Sequence, residues 1–317
     1  MILTIRIWKQ WRWRMLDKML RDLVHCEFQI GKFTFAFLDV LLAVCVTFVA
    51  VQIRIPVFGA AKITGPATGS FQLLCLCLDF VLAVLMAVFT WNVTKSKVKA
   101  TGIYALAVIW PVFAGNSALN GGYEVVGAVI LLALLAVTAI RGSYTYPAFW
   151  ALTALTCGFQ ILQSDGMGEK LTNCWPNVYT LFSETGFLAE YGYAGKIFVI
   201  GVLLMGLYYI SKLEFQVTPK LLVLSGLFFS LFVTLFYPFM NYRSGFLANV
   251  FALLLFMMDK KKCYVPMFLC IISYVSFSLF HNGEIGIYYW IYALGVLALT
   301  MDAGTALFKE LHAGKNV

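Results

Sequence analysis

The chain has 317 residues, 62% of them hydrophobic and only 12% charged, with a formal net charge of +8 and a mean hydropathy of +0.86. Soluble domains carry about 25% charged and about 45–50% apolar residues, so a soluble enzyme, a disordered chain, a disulfide-stapled secreted module and a single-span receptor are all excluded. Outer-membrane barrels alternate apolar and polar residues along each strand, whereas runs such as Leu131–Val137 are continuously apolar. The composition is that of an all-α, polytopic helical membrane protein.

Residues 1–32 are expected to form neither a signal peptide nor a span, because basic residues recur throughout and no short apolar core ends in a cleavage site. As a helix, Trp8, Trp11, Met15, Met19 and Leu23 share one face and Arg14, Lys18 and Arg21 another. That pattern predicts an interfacial amphipathic helix on anionic lipid. A spanning helix needs about 20 mostly apolar residues. Ten spans are expected at about 33–53, 71–92, 102–115, 124–140, 146–163, 196–211, 220–237, 245–258, 264–280 and 286–305. The organisation is therefore an N-terminal helix over 1–32, a transmembrane domain over 33–308 and a short tail over 309–317. With the N-terminus in the cytoplasm, only Arg54, Lys62, Lys170, Lys196 and Arg243 fall outside, and the other 18 of the 23 basic residues fall inside. This split puts both termini in the cytoplasm by the positive-inside rule. The positive charge is then a matter of topology, membrane lipid is the implied partner, and nucleic acid is not.

Asp79 lies deep in the second expected span, where an acid is costly. It either faces the bundle interior, hydrogen-bonded or protonated, or serves a proton relay or ion-coupling site. Cys45, Cys75, Cys77, Cys157 and Cys270 fall within spans, and Cys174 is the sole outer cysteine, so no disulfide framework forms there. Cys75 and Cys77 stand about 200° apart on a helix, and His25, His281 and His312 are scattered. No metal site and no cofactor are expected.

Three outer segments concentrate polar residues. At Trp110–Glu124, a short proline-containing helix breaks into a turn with Asn116, Asn120, Gly121 and Gly122. The stretch from Ser164 to Lys196 is the one long outer loop, and Trp175, Asn177 and Tyr179 argue that it is ordered against the membrane. At Phe236–Asn249, Asn241, Tyr242 and Arg243 open the eighth span.

In this order, the segments resemble the bacterial relatives of the GPI-anchor mannosyltransferases, within the GT-C superfamily of lipid-donor glycosyltransferases. Members carry Pro, then Asn-Ser, then Trp-Gly-Gln with an Asp two residues on. Pro111, Asn116 and Ser117 match, Asn120-Gly121-Gly122 is an altered version, and Glu124 replaces the Asp. Phe159-Gln160 resembles the family's Phe-Lys-Leu-Gln without its lysine. In the late Pro-x-Met-His-Glu-Arg-Tyr motif, Pro238, Met240 and Arg243 match, while Asn241, Tyr242 and Ser244 replace His, Glu and Tyr. The likeness covers roughly 35–310.

The resemblance implies a GT-C-like fold and sugar transfer from a polyprenyl-phosphate donor on the outer face of the bacterial inner membrane, in cell-envelope glycan assembly. Such transfer needs a carboxylate to accept a hydroxyl proton and donors on the leaving phosphate, for which the arginine fork is well shaped. Glu124 is thereby the expected catalytic base and Arg243 the phosphate ligand, with Asn116, Asn120, Gln160, Asn177, Asn241 and Tyr242 as further substrate-binding residues. Two simpler roles stay open: Glu124 as a helix N-terminal acid and Arg243 snorkelling to phospholipid. The chain also departs from the family, whose catalytic acid sits in the first outer loop. Residues 54–70 hold no Asp or Glu. A catalytically degenerate subunit or scaffold for a partner envelope-biosynthesis enzyme, and a polysaccharide polymerase or lipid-linked glycan transporter, are the alternatives.

Overall fold

In a computed structural model of the chain, the described residues are 27–30, 33–36, 68–116, 124–164, 171–181, 192–282 and 289–313. Strands β1 (Glu27–Ile30) and β2 (Phe33–Ala36) pair antiparallel, Phe28 opposite Phe35. The helix expected over 1–32 and the span expected over 33–53 are therefore interrupted at their junction by a hairpin, and the remainder of both lies outside the described residues.

The rest is almost wholly helical: α1 (Thr68–Thr94), α2 (Lys97–Ile109), α3 (Pro111–Gly115), α4 (Glu124–Arg141), α5 (Tyr146–Leu162), α6 (Gly192–Ser211), α7 (Pro219–Phe236), α8 (Phe246–Met258), α9 (Tyr264–Asn282) and α10 (Trp290–Ala313). Among the described residues, seven helical segments are long and apolar enough to cross a membrane: Leu74–Thr94, Lys97–Gly115, Glu124–Arg141, Gly192–Ser211, Pro219–Phe236, Lys260–Phe280 and Trp290–Ala313. Two further expected spans correspond to shorter helices, α5 with 17 residues and α8 with 13. The chain is thus a polytopic helical protein.

Local chemistry sets the helix ends. Ser96 caps α2 by accepting the Lys99 N–H, and Thr218 caps α7 by accepting the Leu221 N–H at 3.1 Å, with Pro219 in the first turn. Trp110 takes the extended backbone that a following proline favours, so α2 ends there and α3 starts afresh at Pro111. After α4, Gly142 adopts φ +62° and donates to the Ala139 carbonyl, while Ser143 donates to Thr138. This paired closure requires a left-handed residue, which glycine supplies without strain. The tail expected at 309–317 is helical through Ala313, because Leu307 and Leu311 stay buried and Glu310 meets Lys220 at 3.0 Å.

Helix α8 is the centre of the bundle. It packs on α1, α2, α3, α4, α7 and α9, and its side chains are buried on all faces except Phe256 and Met258. A helix that is apolar all round belongs inside. Gly226 of α7 admits the Phe251 ring, since a Cβ there would stand 2.4 Å from Phe251 Cζ. Helix α6 is the opposite case. Ile197, Phe198, Leu204, Met205 and Tyr208 are exposed along it, an apolar surface suited to lipid.

Chain direction sorts the charges. Lys95, Lys97, Lys99, Arg141, Lys212, Lys220, Lys260, Lys261, Lys262 and Lys309 lie at one end of the bundle, with Lys196 and Arg243 at the other. At the lysine-rich end, Lys262 Nζ lies 2.7 Å from both Asp302 carboxylate oxygens, and the Tyr264 hydroxyl donates to one of them, tying α9 to α10.

Candidate functional site

At the other end, the α7–α8 connection is a tight turn held from three sides. Strand β4 (Met240–Asn241) pairs parallel with β3 (Thr172–Asn173), and bridges join Ser164 to Met240 and Cys174 to Asn241. Asn241 Nδ2 donates to the Gln163 carbonyl at 2.9 Å, and Gln160 Nε2 donates to the Ser244 carbonyl at 3.1 Å. The C-terminal end of α5 therefore grips the turn from both sides of Arg243. Asn241 Oδ1 accepts the backbone N–H of Arg243 itself at 3.0 Å.

This grip aims the guanidinium. Arg243 Nε donates to the Tyr242 hydroxyl at 2.9 Å, and Arg243 NH1 lies 3.8 Å from Glu124 Oε1. Tyr242 is in turn stacked on Phe280, with ring centroids 4.1 Å apart. The Glu124 side chain is fully buried at the start of α4, where the helix dipole favours an acid, whereas 22% of the Arg243 side chain is exposed. The two outer segments singled out in sequence thus meet at one ion pair.

Beside Arg243 lies a cavity of about 210 Å³ lined by Asn116, Tyr242, Arg243, Ser273 and Tyr274, with apolar walls from Pro111, Val112, Phe246 and Phe277. Tyr274 is 66% exposed, so the cavity opens on the flank of the bundle between α3 and α9. Asn116 is buried, and neither its Nδ2 nor its Oδ1 has a hydrogen-bond partner among the described residues. Such a group carries a desolvation cost of about 1–3 kcal/mol unless something polar meets it.

Of the expected site residues, Asn116, Tyr242 and Arg243 share this cavity, and Glu124 stands behind Arg243. Gln160 donates its amide to the Ser244 carbonyl of the turn, and Asn241 donates to the Gln163 carbonyl of α5 while accepting the Arg243 N–H, so both position Arg243. Asn177 holds its own loop: its Nδ2 donates to the Leu171 carbonyl at 3.4 Å and its Oδ1 accepts the Tyr179 N–H at 3.1 Å. Asn120 lies outside the described residues.

The long loop is ordered across 171–181, as its aromatics suggest. Phe239 N–H donates to the Leu171 carbonyl at 2.8 Å, the Tyr179 hydroxyl donates to Phe236 at 3.1 Å, and the Tyr289 hydroxyl donates to Cys174. Burial pushes the Tyr179 and Tyr289 phenols above their ordinary range, which keeps both as donors. Trp175 is fully buried over Gly245, where a Cβ would stand 2.3 Å from its ring.

Asp79 was singled out in sequence, whereas the pairing of Asn249 with Ser273 carried no signal there. Asp79 and Cys75, one turn apart on α1, are both buried, and Cys75 lies in the field of Asp79, Glu124 and Arg243. A second network joins three helices under the cavity: Trp110 Nε1 donates to Asn249 Oδ1 at 3.1 Å, and Asn249 Nδ2 donates to Ser273 Oγ at 3.0 Å. Among the described residues, no three His, Cys, Asp or Glu side chains come together to hold a metal ion.

No protein-family model, curated protein or solved structure matches the chain. The chemistry of the site is then the guide. A guanidinium, a carboxamide with no partner among the described residues, and hydroxyls line one cavity whose other walls are apolar and which opens on the flank. That combination suits the oxyanion head of an amphiphile, with the fork of Arg243 offering paired donors.

Proposed function

We propose that the chain is a GT-C-like glycosyltransferase of the bacterial inner membrane, transferring a sugar from a polyprenyl-phosphate donor on the outer face during envelope glycan assembly. The observation that carries this reading is the cavity at Arg243 and Asn116, open to the flank where a lipid-linked donor would approach, with Glu124 adjoining. In the step, an acceptor hydroxyl oxygen attacks the anomeric carbon of the sugar. The bond from that carbon to the phosphate oxygen breaks, its electron pair leaving with polyprenyl phosphate. The hydroxyl proton passes to Glu124, and Arg243 stabilises the charge on the departing phosphate.

One observation favours a second reading. The Glu124 carboxylate is fully buried against Arg243 and does not line the cavity, and residues 54–70 supply no other acid. In that reading the chain is a degenerate member that holds the lipid-linked sugar for a partner envelope enzyme. Purified chain in nanodiscs, given a radiolabelled undecaprenyl-phosphate hexose and a membrane lipid extract as acceptor, separates the two. Under the enzyme reading, labelled product forms and Glu124→Gln slows it about 10²–10⁴-fold, the usual effect of losing a general base. Absence of product with the wild type, together with loss of a co-purifying envelope enzyme when the chain is deleted, establishes the second.

A further inference from the structure

The Glu124–Arg243 pair has a geometry that sugar transfer alone does not explain. The carboxylate is sealed from solvent, while the guanidinium it holds reaches into the cavity. Among the described residues, only one Arg243 side-chain donor, Nε–H, is taken by a neutral partner, the Tyr242 hydroxyl at 2.9 Å. The NH1 contact to Glu124 is 3.8 Å, beyond the length of a formed charge-assisted hydrogen bond. The pair is therefore close in charge but loosely bonded. On the cavity side, Asn116 presents an amide donor and acceptor that no described residue meets.

We propose that this pair is an anion-operated latch: an anionic oxygen headgroup entering the cavity takes Arg243 and Asn116, and thereby releases Glu124 from its counter-ion. The proposal rests on the reading above only in taking that headgroup to be the phosphate of a lipid. In the empty site Arg243 neutralises Glu124. A phosphate bound at Arg243 competes for the same guanidinium and brings a like charge towards the carboxylate. Cys75 on α1 also lies in the electrostatic field of Glu124 and Arg243. The latch makes release of the carboxylate conditional on the donor being in place, so the base is held back from water while the site is empty.

The latch has a signature opposite to that of an anchor. If Glu124 merely props Arg243 in position, Glu124→Gln weakens anion binding. If Glu124 competes with the anion, Glu124→Gln strengthens it. A carboxylate roughly 6 Å from a bound phosphate, at the effective dielectric of a protein site, weakens binding by more than about ten-fold.

The experiment is equilibrium binding of radiolabelled undecaprenyl phosphate to the full chain in phosphatidylcholine nanodiscs, with undecaprenol and inorganic phosphate as parallel ligands. Expected are binding of undecaprenyl phosphate by the wild type, at least about ten-fold tighter binding by Glu124→Gln, and weakened binding by Arg243→Lys, which keeps the charge but loses the fork. Carbodiimide modification of Glu124 in the wild type, followed by mass spectrometry, should rise when undecaprenyl phosphate is added. Equal or weaker binding by Glu124→Gln, with wild-type binding intact, overturns the latch and leaves the phosphate site standing. Tight binding of inorganic phosphate but not of the lipid, still strengthened by Glu124→Gln, upholds the latch and removes the polyprenyl donor. Failure of both proteins to bind any of the three ligands overturns the latch and the proposed donor together.

Discussion

Replacing Asn249 by leucine tests whether the network beneath the cavity holds three helices together. Asn249 is fully buried on α8, accepts the Trp110 indole N–H from the end of α2, and donates to Ser273 of α9 and to the Gly245 carbonyl. Leucine has a similar volume, so the change removes polarity without opening a cavity. The Gly245 carbonyl keeps the Asn249 backbone N–H, at 3.0 Å, and is not orphaned. The Trp110 indole and the Ser273 hydroxyl lose their partner. A group left unsatisfied costs about 1–3 kcal/mol, but interhelical hydrogen bonds in membrane proteins average nearer about 0.6 kcal/mol, so a loss of about 2–3 kcal/mol is expected for the two. In a chain of this size that corresponds to a fall in Tm of roughly 3–5 °C. The assay is thermal melting of the detergent-solubilised protein, read by fluorescence-detected size exclusion. Trp110→Phe in the Asn249→Leu background should recover part of the loss, because it removes the stranded donor. A wild-type Tm for Asn249→Leu would refute the idea that this network carries stability.

Gly245→Ala would drive a methyl group into the Trp175 ring and within 2.8 Å of Ser273 Oγ. It should cost about 1–3 kcal/mol by overpacking and make the loop around Trp175 more sensitive to protease. Lys220→Ala should change stability by less than about 1 kcal/mol in a double-mutant cycle with Glu310, since both ends of that pair are partly solvated. Cys174 is partly exposed and Cys263 exposed, at opposite ends of the bundle. In intact cells an impermeant thiol reagent should label Cys174 and spare Cys263, and the reverse pattern would invert the proposed topology.

Hydropathy made the helices legible because a lipid-facing helix and a protein-facing one are both written in apolar residues. For the same reason it could not tell them apart. Phe246–Met258 has the same apolar character as its neighbours, yet its burial on nearly all faces makes it the core of the bundle rather than another lipid-facing span. Proline and small polar residues marked helix starts well: Pro111, Pro147 and Pro219 all fall in first turns. The hairpin at 27–36 was written in the sequence as Phe28, Ile30, Phe33 and Phe35 alternating about Gly31-Lys32. The apolar run that follows concealed it. Glu124 and Arg243, both singled out in sequence, meet because both flank helix ends on one side. Motif order could not foresee that Gln160 and Asn241 turn their amides onto backbone. An amide suited to a sugar hydroxyl is equally suited to a carbonyl, and only the fold chooses between them.

The brevity of α8 has a consequence for the bilayer. Thirteen residues rise about 20 Å, some 10 Å less than the hydrocarbon thickness of about 30 Å. If the lysines at Lys260–Lys262 anchor one interface, Arg243 at the other end of α8 falls short of the opposite headgroup layer. A lipid head can reach it only by sinking, or where the leaflet thins around the protein. Hydrophobic mismatch of this kind is relieved by shorter acyl chains. Occupancy of the cavity should therefore rise in thin bilayers and fall in thick ones, making the surrounding membrane itself a determinant of access to the site.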